Sequence, residues 1–159
     1  MPPPGWGRSG STILGNILGQ LDGYFSAGEL RHIWERSMIE NRKCGCGRPF
    51  SECETWREII GRILPCPSKI RADELVVATY EYTRTRRVLP LGDRTADQSC
   101  LKYAEYLAVI ENLYQSIASV TNSKVIIDSS KFPMYGNLLR QIPSLDVYII
   151  HLIRDPRAV

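Results

Sequence analysis

The segment Gly5-Trp6-Gly7-Arg8-Ser9-Gly10-Ser11-Thr12 has the spacing Gly-x-x-x-x-Gly-Lys-Ser/Thr of a phosphate-binding loop, with Ser11 in the lysine position. Glycines let backbone N–H groups turn inward around an anion, and a helix that starts where the loop closes adds its positive end. Gly7, Arg8, Ser9, Gly10, Ser11 and Thr12 are therefore candidate anion ligands, Arg8 supplying a guanidinium. A nucleoside triphosphatase sets the missing lysine against the β- and γ-phosphates, so phosphoryl transfer loses its usual partner while anion binding survives. The competing reading is a glycine-serine turn ahead of an ordinary helix.

Further along, Ser26-Ala27-Gly28-Glu29 reads either as a capping box, with Glu29 on the Ser26 backbone N–H, or as a carboxylate available as a general base. Lys131 follows the apolar run Val125-Ile126-Ile127 and Asp128, where an ammonium at a strand end reaches a ligand; its alternative is an exposed lysine in a turn. Apolar-run-then-Asp is also the pattern that holds Mg²⁺ in nucleotide hydrolases. Without the loop lysine, Asp128 is expected instead to orient Ser11, Thr12 or a water, and Ser129 and Ser130 to cap the following helix. Cys44, Cys46 and Cys53 offer three thiolates to zinc, but no fourth ligand is evident and His32 is the nearest histidine. Three free thiols is the preferred expectation, and no metal ligand is assigned. Arg84, Arg86 and Arg87 suit a solvated helix face as well as an anionic acceptor.

These groups need elements to position them. Ile13, Leu14, Ile17, Leu18 and Leu21 recur at helical spacing, so the loop runs into a helix that Asp22-Gly23 ends. A second helix is expected over about 28–40, then a loop rich in Cys, Gly and Pro over 41–54, a short helix over 56–64, and a helix over 73–88 that also has strand character. The clearest amphipathic helix covers 98–120, with Tyr103, Leu107, Ile110, Tyr114, Ile117 and Val120 on one stripe. A strand over 124–128, a helix opened by Pro133 and closed by Pro143, and a strand over 146–152 predict parallel pairing through a right-handed crossover. The expected architecture is an α/β, three-layer, P-loop-like parallel sheet with flanking helices and ligands at the carboxyl ends of its strands.

Length and composition fit one domain: 159 residues, 43% of them hydrophobic, with 20 Lys and Arg against 17 Asp and Glu for a net charge of +3. That charge is too slight and scattered for a nucleic-acid stripe. The longest apolar run, Val147 to Ile153, falls far short of the ~20 residues of a membrane span, and His151 interrupts it. Neither the charged nor the apolar region of a signal peptide is present, and the cysteine count is odd, so a reduced, cytoplasmic setting is expected.

Gly7-Arg8-Ser9-Gly10-Ser11-Thr12-Ile13-Leu14 resembles the 5′-phosphosulfate loop of sulfotransferases that use 3′-phosphoadenosine 5′-phosphosulfate (PAPS). Val125 to Lys131 and His151 to Val159 resemble the middle strand end and the 3′-phosphate motif of bacterial members, and Gly28-Glu29 resembles the Gly-Glu pair of tyrosylprotein sulfotransferases. The resemblance implies PAPS as donor with no metal required, and transfer of a sulfuryl group to a hydroxyl or amine of a small-molecule, glycan or peptide acceptor. It implies Glu29 as general base, Lys131 and Arg8 as cations at the transferring group, and Arg154 on the 3′-phosphate. Two alternatives stay open: a noncatalytic nucleotide-binding module, and a P-loop kinase or nucleoside triphosphatase. Such loops ordinarily follow a buried strand, whereas Met1 to Pro4 is mostly proline, and the chain stops inside the 3′-phosphate motif. The expectation is a single partial domain without its first strand, shortened at both ends.

Overall fold

The computed structural model describes residues 10–64, 69–83 and 98–153. In chain order the elements are α1 (Ser11–Leu18), β1 (Tyr24–Gly28), a 3-10 turn (Leu30–His32), a π-helical segment (Ile33–Ile39), a second 3-10 turn (Phe50–Glu52), α2 (Glu54–Ile63), α3 (Lys69–Tyr82), α4 (Gln98–Thr121), β2 (Val125–Asp128) and α5 (Pro133–Leu139). The chain is a mixed helix-and-strand protein with a two-stranded parallel sheet of order β1-β2.

The helical side is built as the apolar spacing dictates. α4 buries Tyr106, Ile110, Leu113, Tyr114 and Ile117, the expected stripe turned slightly so that Tyr103, Leu107 and Val120 lie at its margin. α2 brings Trp56, Ile59 and Ile60 to the same core, and Trp56 stacks on Phe50 at 5.3 Å and on Phe25 at 6.3 Å between ring centroids. α5 starts with Pro133 in its first turn, where a missing N–H costs nothing, and buries Tyr135, Leu138 and Leu139. α3 is helical despite its β-branched residues. Thr79 and Thr83 are buried, and their hydroxyls donate to the carbonyls of Leu75 and Thr79 at 2.7 and 2.6 Å.

The sheet side corrects the expectation in three places. Tyr24–Gly28 is a strand, although its small residues carry little strand propensity; it pairs Tyr24 with Val125, Phe25 with Ile126 and Ser26 with Ile127, and a bulge lets Gly28 meet Asp128. The expected helix over 28–40 is a 3-10 turn followed by a π-helical segment, not α-helix. The expected strand over 146–152 does not form, so the strand-helix-strand unit after Lys124 is absent among the described residues. That stretch stays unpaired with Tyr148 89% and Ile149 66% exposed, because β-branched composition makes a strand possible but only a partner edge makes one.

α1 meets the sheet with its glycines, not with the expected apolar stripe. A Cβ on Gly19 would stand 2.8 Å from Ser26 Cβ, and one on Gly15 would stand 3.0 Å from Ser129 Oγ, so helix and strands approach as only glycine allows. Ile13 and Ile17 face away, 67% and 61% exposed.

Candidate functional site

β1 and β2 run parallel, so both carboxyl ends open on one edge, and the residues just past them, Glu29 and Ser129 to Lys131, are neighbours despite their distance in sequence. α1 points its N-terminus toward the same edge: Gly19 lies level with Ser26, and Gly15, one turn earlier, lies against Ser129 beyond the end of β2. Gly10, left-handed at φ 78°, closes the turn into this helix, and Ser11 and Thr12 form its first turn.

At that edge Glu29 joins two cations. Its Oε1 lies 3.1 Å from Lys131 Nζ, and its Oε2 accepts from Arg36 at 2.7 Å. Burial pushes the carboxyl upward, but the Lys131 hydrogen bond and the charges of Lys131 and Arg36 outweigh it, leaving the pKa below the ordinary value. The capping-box alternative does not describe this residue. Ser26 lies inside β1, and the Glu29 side chain makes no cap hydrogen bond at the turn it precedes.

Beside this triad runs a second polar chain. Tyr80 donates to Glu35 at 2.9 Å, Glu35 lies 3.5 Å from His32 Nδ1, and Arg31 lies 3.3 Å from His32 Nε2. Burial and the two neighbouring arginines hold His32 below its ordinary pKa, so it is neutral at pH 7. The Arg31 guanidinium sits between the rings of Phe132 and Tyr80, at 4.3 and 5.1 Å from their centroids.

Asp128 has a different role from the one expected. Its Oδ1 accepts from the backbone N–H of Ser130 at 2.8 Å and of Leu30 at 3.3 Å, and its Oδ2 accepts from the Tyr114 hydroxyl at 2.6 Å. It therefore fastens the end of β2 to the turn carrying Glu29 and to α4, and orients neither Ser11 nor Thr12 through these contacts. Burial raises its pKa against those hydrogen bonds. Ser129 and Ser130 do not cap α5, whose N-cap is Phe132; Ser130 Oγ accepts instead from the Arg31 backbone N–H at 3.0 Å.

Of the site residues read from the sequence, Glu29 and Lys131 are brought into contact, and Gly10, Ser11 and Thr12 begin the helix whose N-terminus faces their edge. Gly7, Arg8, Ser9 and Arg154 lie outside the described residues, as do Arg84, Arg86 and Arg87. Sequence reasoning missed Arg36. Seven residues from Glu29 and inside the π-helical segment, it matches neither the i+3 nor the i+4 spacing that flags a helical ion pair. It also missed the clamp, for which Tyr114 on the α4 stripe gave no signal beyond an apolar face.

No protein-family model matches this chain, and neither the curated proteins nor the solved structures contain a match to it. No helix among the described residues is long and apolar enough to cross a membrane.

Proposed function

We propose that the chain is the donor-binding part of a sulfotransferase that moves a sulfuryl group from PAPS to a hydroxyl or amine, within the fuller three-layer sheet of a phosphate-loop fold. The observation that carries this reading is the Glu29–Lys131 contact of 3.1 Å at the carboxyl edge of two parallel strands, faced by a helix that starts in a glycine-serine turn. Sulfuryl transfer needs a base for the acceptor proton, a cation where the bridging oxygen gains charge, and a cradle for the donor. Glu29, Lys131 and the Gly10-Ser11-Thr12 turn supply one of each, with Arg8 in the loop and Arg154 on the 3′-phosphate.

In the transfer, the acceptor oxygen or nitrogen forms the new bond to sulfur, the bond from sulfur to the bridging phosphate oxygen breaks, and adenosine 3′,5′-bisphosphate leaves. Glu29 takes the acceptor proton. Before the donor arrives, Lys131 and Arg36 hold Glu29 ionised and weakly basic. An anionic donor competes for Lys131, and as that ammonium turns to the phosphosulfate the basicity of Glu29 rises toward what a general base needs. Arg36 keeps the carboxylate in place meanwhile.

The test is thermal stability with adenosine 3′,5′-bisphosphate in the absence of Mg²⁺. Stabilisation of about 2.7 kcal/mol is expected at a hundredfold excess over its Kd, with less from ATP and Mg²⁺. Lys131→Ala should remove roughly 1.5–3 kcal/mol of the binding energy. Stabilisation by ATP and Mg²⁺ with none from the bisphosphate would replace this reading with a kinase-like one. Bisphosphate binding without sulfuryl transfer to any acceptor would favour the noncatalytic module.

A further inference from the structure

The loop from Asn41 to Cys53 joins the π-helical segment to α2 and has little core of its own, since Phe50 and Cys53 are its buried residues. Backbone hydrogen bonds close it: Cys44 N–H to Arg48 O at 2.8 Å, Gly47 N–H to Cys44 O at 2.9 Å and Phe50 N–H to Arg42 O at 3.0 Å, around an antiparallel bridge between Lys43 and Pro49. Gly47 takes φ 87°, which lets the chain reverse there. The reversal folds Cys44 and Cys46 onto Cys53, the residue before α2, and the three sulfur atoms lie within 4.8 Å of one another with no disulfide between them.

Thiolates on a tetrahedral Zn²⁺, each at ~2.3 Å, stand about 3.8 Å apart, so side-chain movements of about 1 Å would close this group on an ion. The closed loop already sets the three sulfurs side by side. Cys53 occupies the N-cap of α2 without using its side chain as a cap, which leaves its sulfur at the positive end of that helix. As thiolates these sulfurs would repel one another, and a cation held among them would offset that repulsion and the burial of Cys53.

We propose that Cys44, Cys46 and Cys53 form a binding site for a thiophilic cation of the Zn²⁺ type, with the fourth coordination position open to solvent on the side of the exposed Cys46. This departs from the three free thiols expected from the sequence. Among the described residues no histidine or carboxylate completes the group, and His32 is engaged with Arg31 and Glu35 instead. Binding converts three thiols to thiolates and releases their three protons to solvent, so affinity rises with pH. The ion would add a staple to a loop now held by backbone hydrogen bonds, the Ser51 N–H to Asn41 Oδ1 bond and the packing of Phe50 on Trp56.

Titration of the reduced chain with Co²⁺ reads the site directly through thiolate-to-cobalt charge transfer and tetrahedral d–d bands. One equivalent should bind, Zn²⁺ should displace it, and either ion should raise the melting temperature. Cys46→Ser and Cys44→Ser should each weaken Co²⁺ binding at least ~100-fold, beyond what loss of an outer partner costs, while far-ultraviolet circular dichroism stays unchanged. The other two of the five cysteines, Cys66 and Cys100, have no part in the proposed site, so a Cys66→Ser/Cys100→Ser double variant should bind as the parent does. Absence of the charge-transfer band in the parent, retention of binding by both single variants, or its loss in the double variant would each overturn the proposal. None of these readouts involves the nucleotide donor, so the two proposals stand or fall separately.

Discussion

The helical layer and the sheet layer of this protein solve opposite problems. In the helical layer Leu30, Ile59, Leu113 and Ile117 lose all or nearly all contact with water, Trp56 of α2 packs on Phe50 of the turn before it, and Tyr82 of α3 packs on Tyr103 and Tyr106 of α4. In the sheet layer a two-stranded ribbon is covered by a helix whose glycines face it and whose isoleucines face solvent. Two strands alone are marginal in water. The candidate site sits on the weaker layer, and it is fixed because Asp128 fastens the strand ends to α4 and to the turn that precedes the π-helical segment.

The comparison breaks most readily at its strong side. Leu113→Ala empties a position with no solvent exposure and should cost about 2–5 kcal/mol, seen as a lower midpoint in urea. An equal loss from Ile13→Ala, on the exposed face of α1, would show that the two layers do not differ as described. Asp128→Ala should come next, at about 2–4 kcal/mol, because it strands the N–H groups of Leu30 and Ser130 and the Tyr114 hydroxyl. Tyr114→Phe removes one of those donors and should cost about 1 kcal/mol. If Asp128→Ala cost no more than Tyr114→Phe, the clamp would reduce to a single hydrogen bond.

Gly19→Ala tests the interface between α1 and the strands. The added methyl would stand 2.8 Å from Ser26 Cβ, so the helix must move outward, and about 1–3 kcal/mol should be lost. Gly61→Ala is the control: nothing lies within 4 Å of that Cβ, and the substitution should stabilise α2 by up to about 1 kcal/mol through its higher helix propensity.

What the sequence disclosed divides along the same line. Helices bury a stripe of their own residues, so Ile110, Tyr114 and Ile117 on α4, the short helix from Trp56 and Pro133 at the head of α5 were readable from local spacing. Strands answer to distant partners. Tyr24–Gly28 lacks the composition of a strand and becomes one against Val125–Asp128, whereas 146–152 has the composition and finds no edge. Of the site, Glu29 and Lys131 were legible as single residues, but that they touch follows from the register of two strands. Arg36 reaches the site from a π-helical segment that spacing rules do not anticipate, and the apolar stripe placed Tyr114 on a buried face without showing that its hydroxyl meets Asp128.

The smallest effect expected is the pH dependence contributed by Glu29, and it separates the two carboxylates that the layers share. Glu29 is held below its ordinary pKa of 4.5, so its contribution to stability is fully present above that value and is lost as pH falls through the lower folded value. Asp128 is raised above 3.8 by burial, so it acts with the opposite sign: its ionisation opposes folding as pH rises through its folded value. Both slopes appear together in the native protein. Glu29→Gln removes one and leaves the other, so melting temperatures of the two proteins, measured from about pH 6 down to about pH 3, should converge as acid protonates Glu29. Because the Glu29 side chain is 31% exposed, salt should shrink the gap at pH 6. A gap constant across the range would mean that Glu29 holds Lys131 and Arg36 through shape and hydrogen bonding, without its charge, and that an arriving anion has no ion pair to compete with.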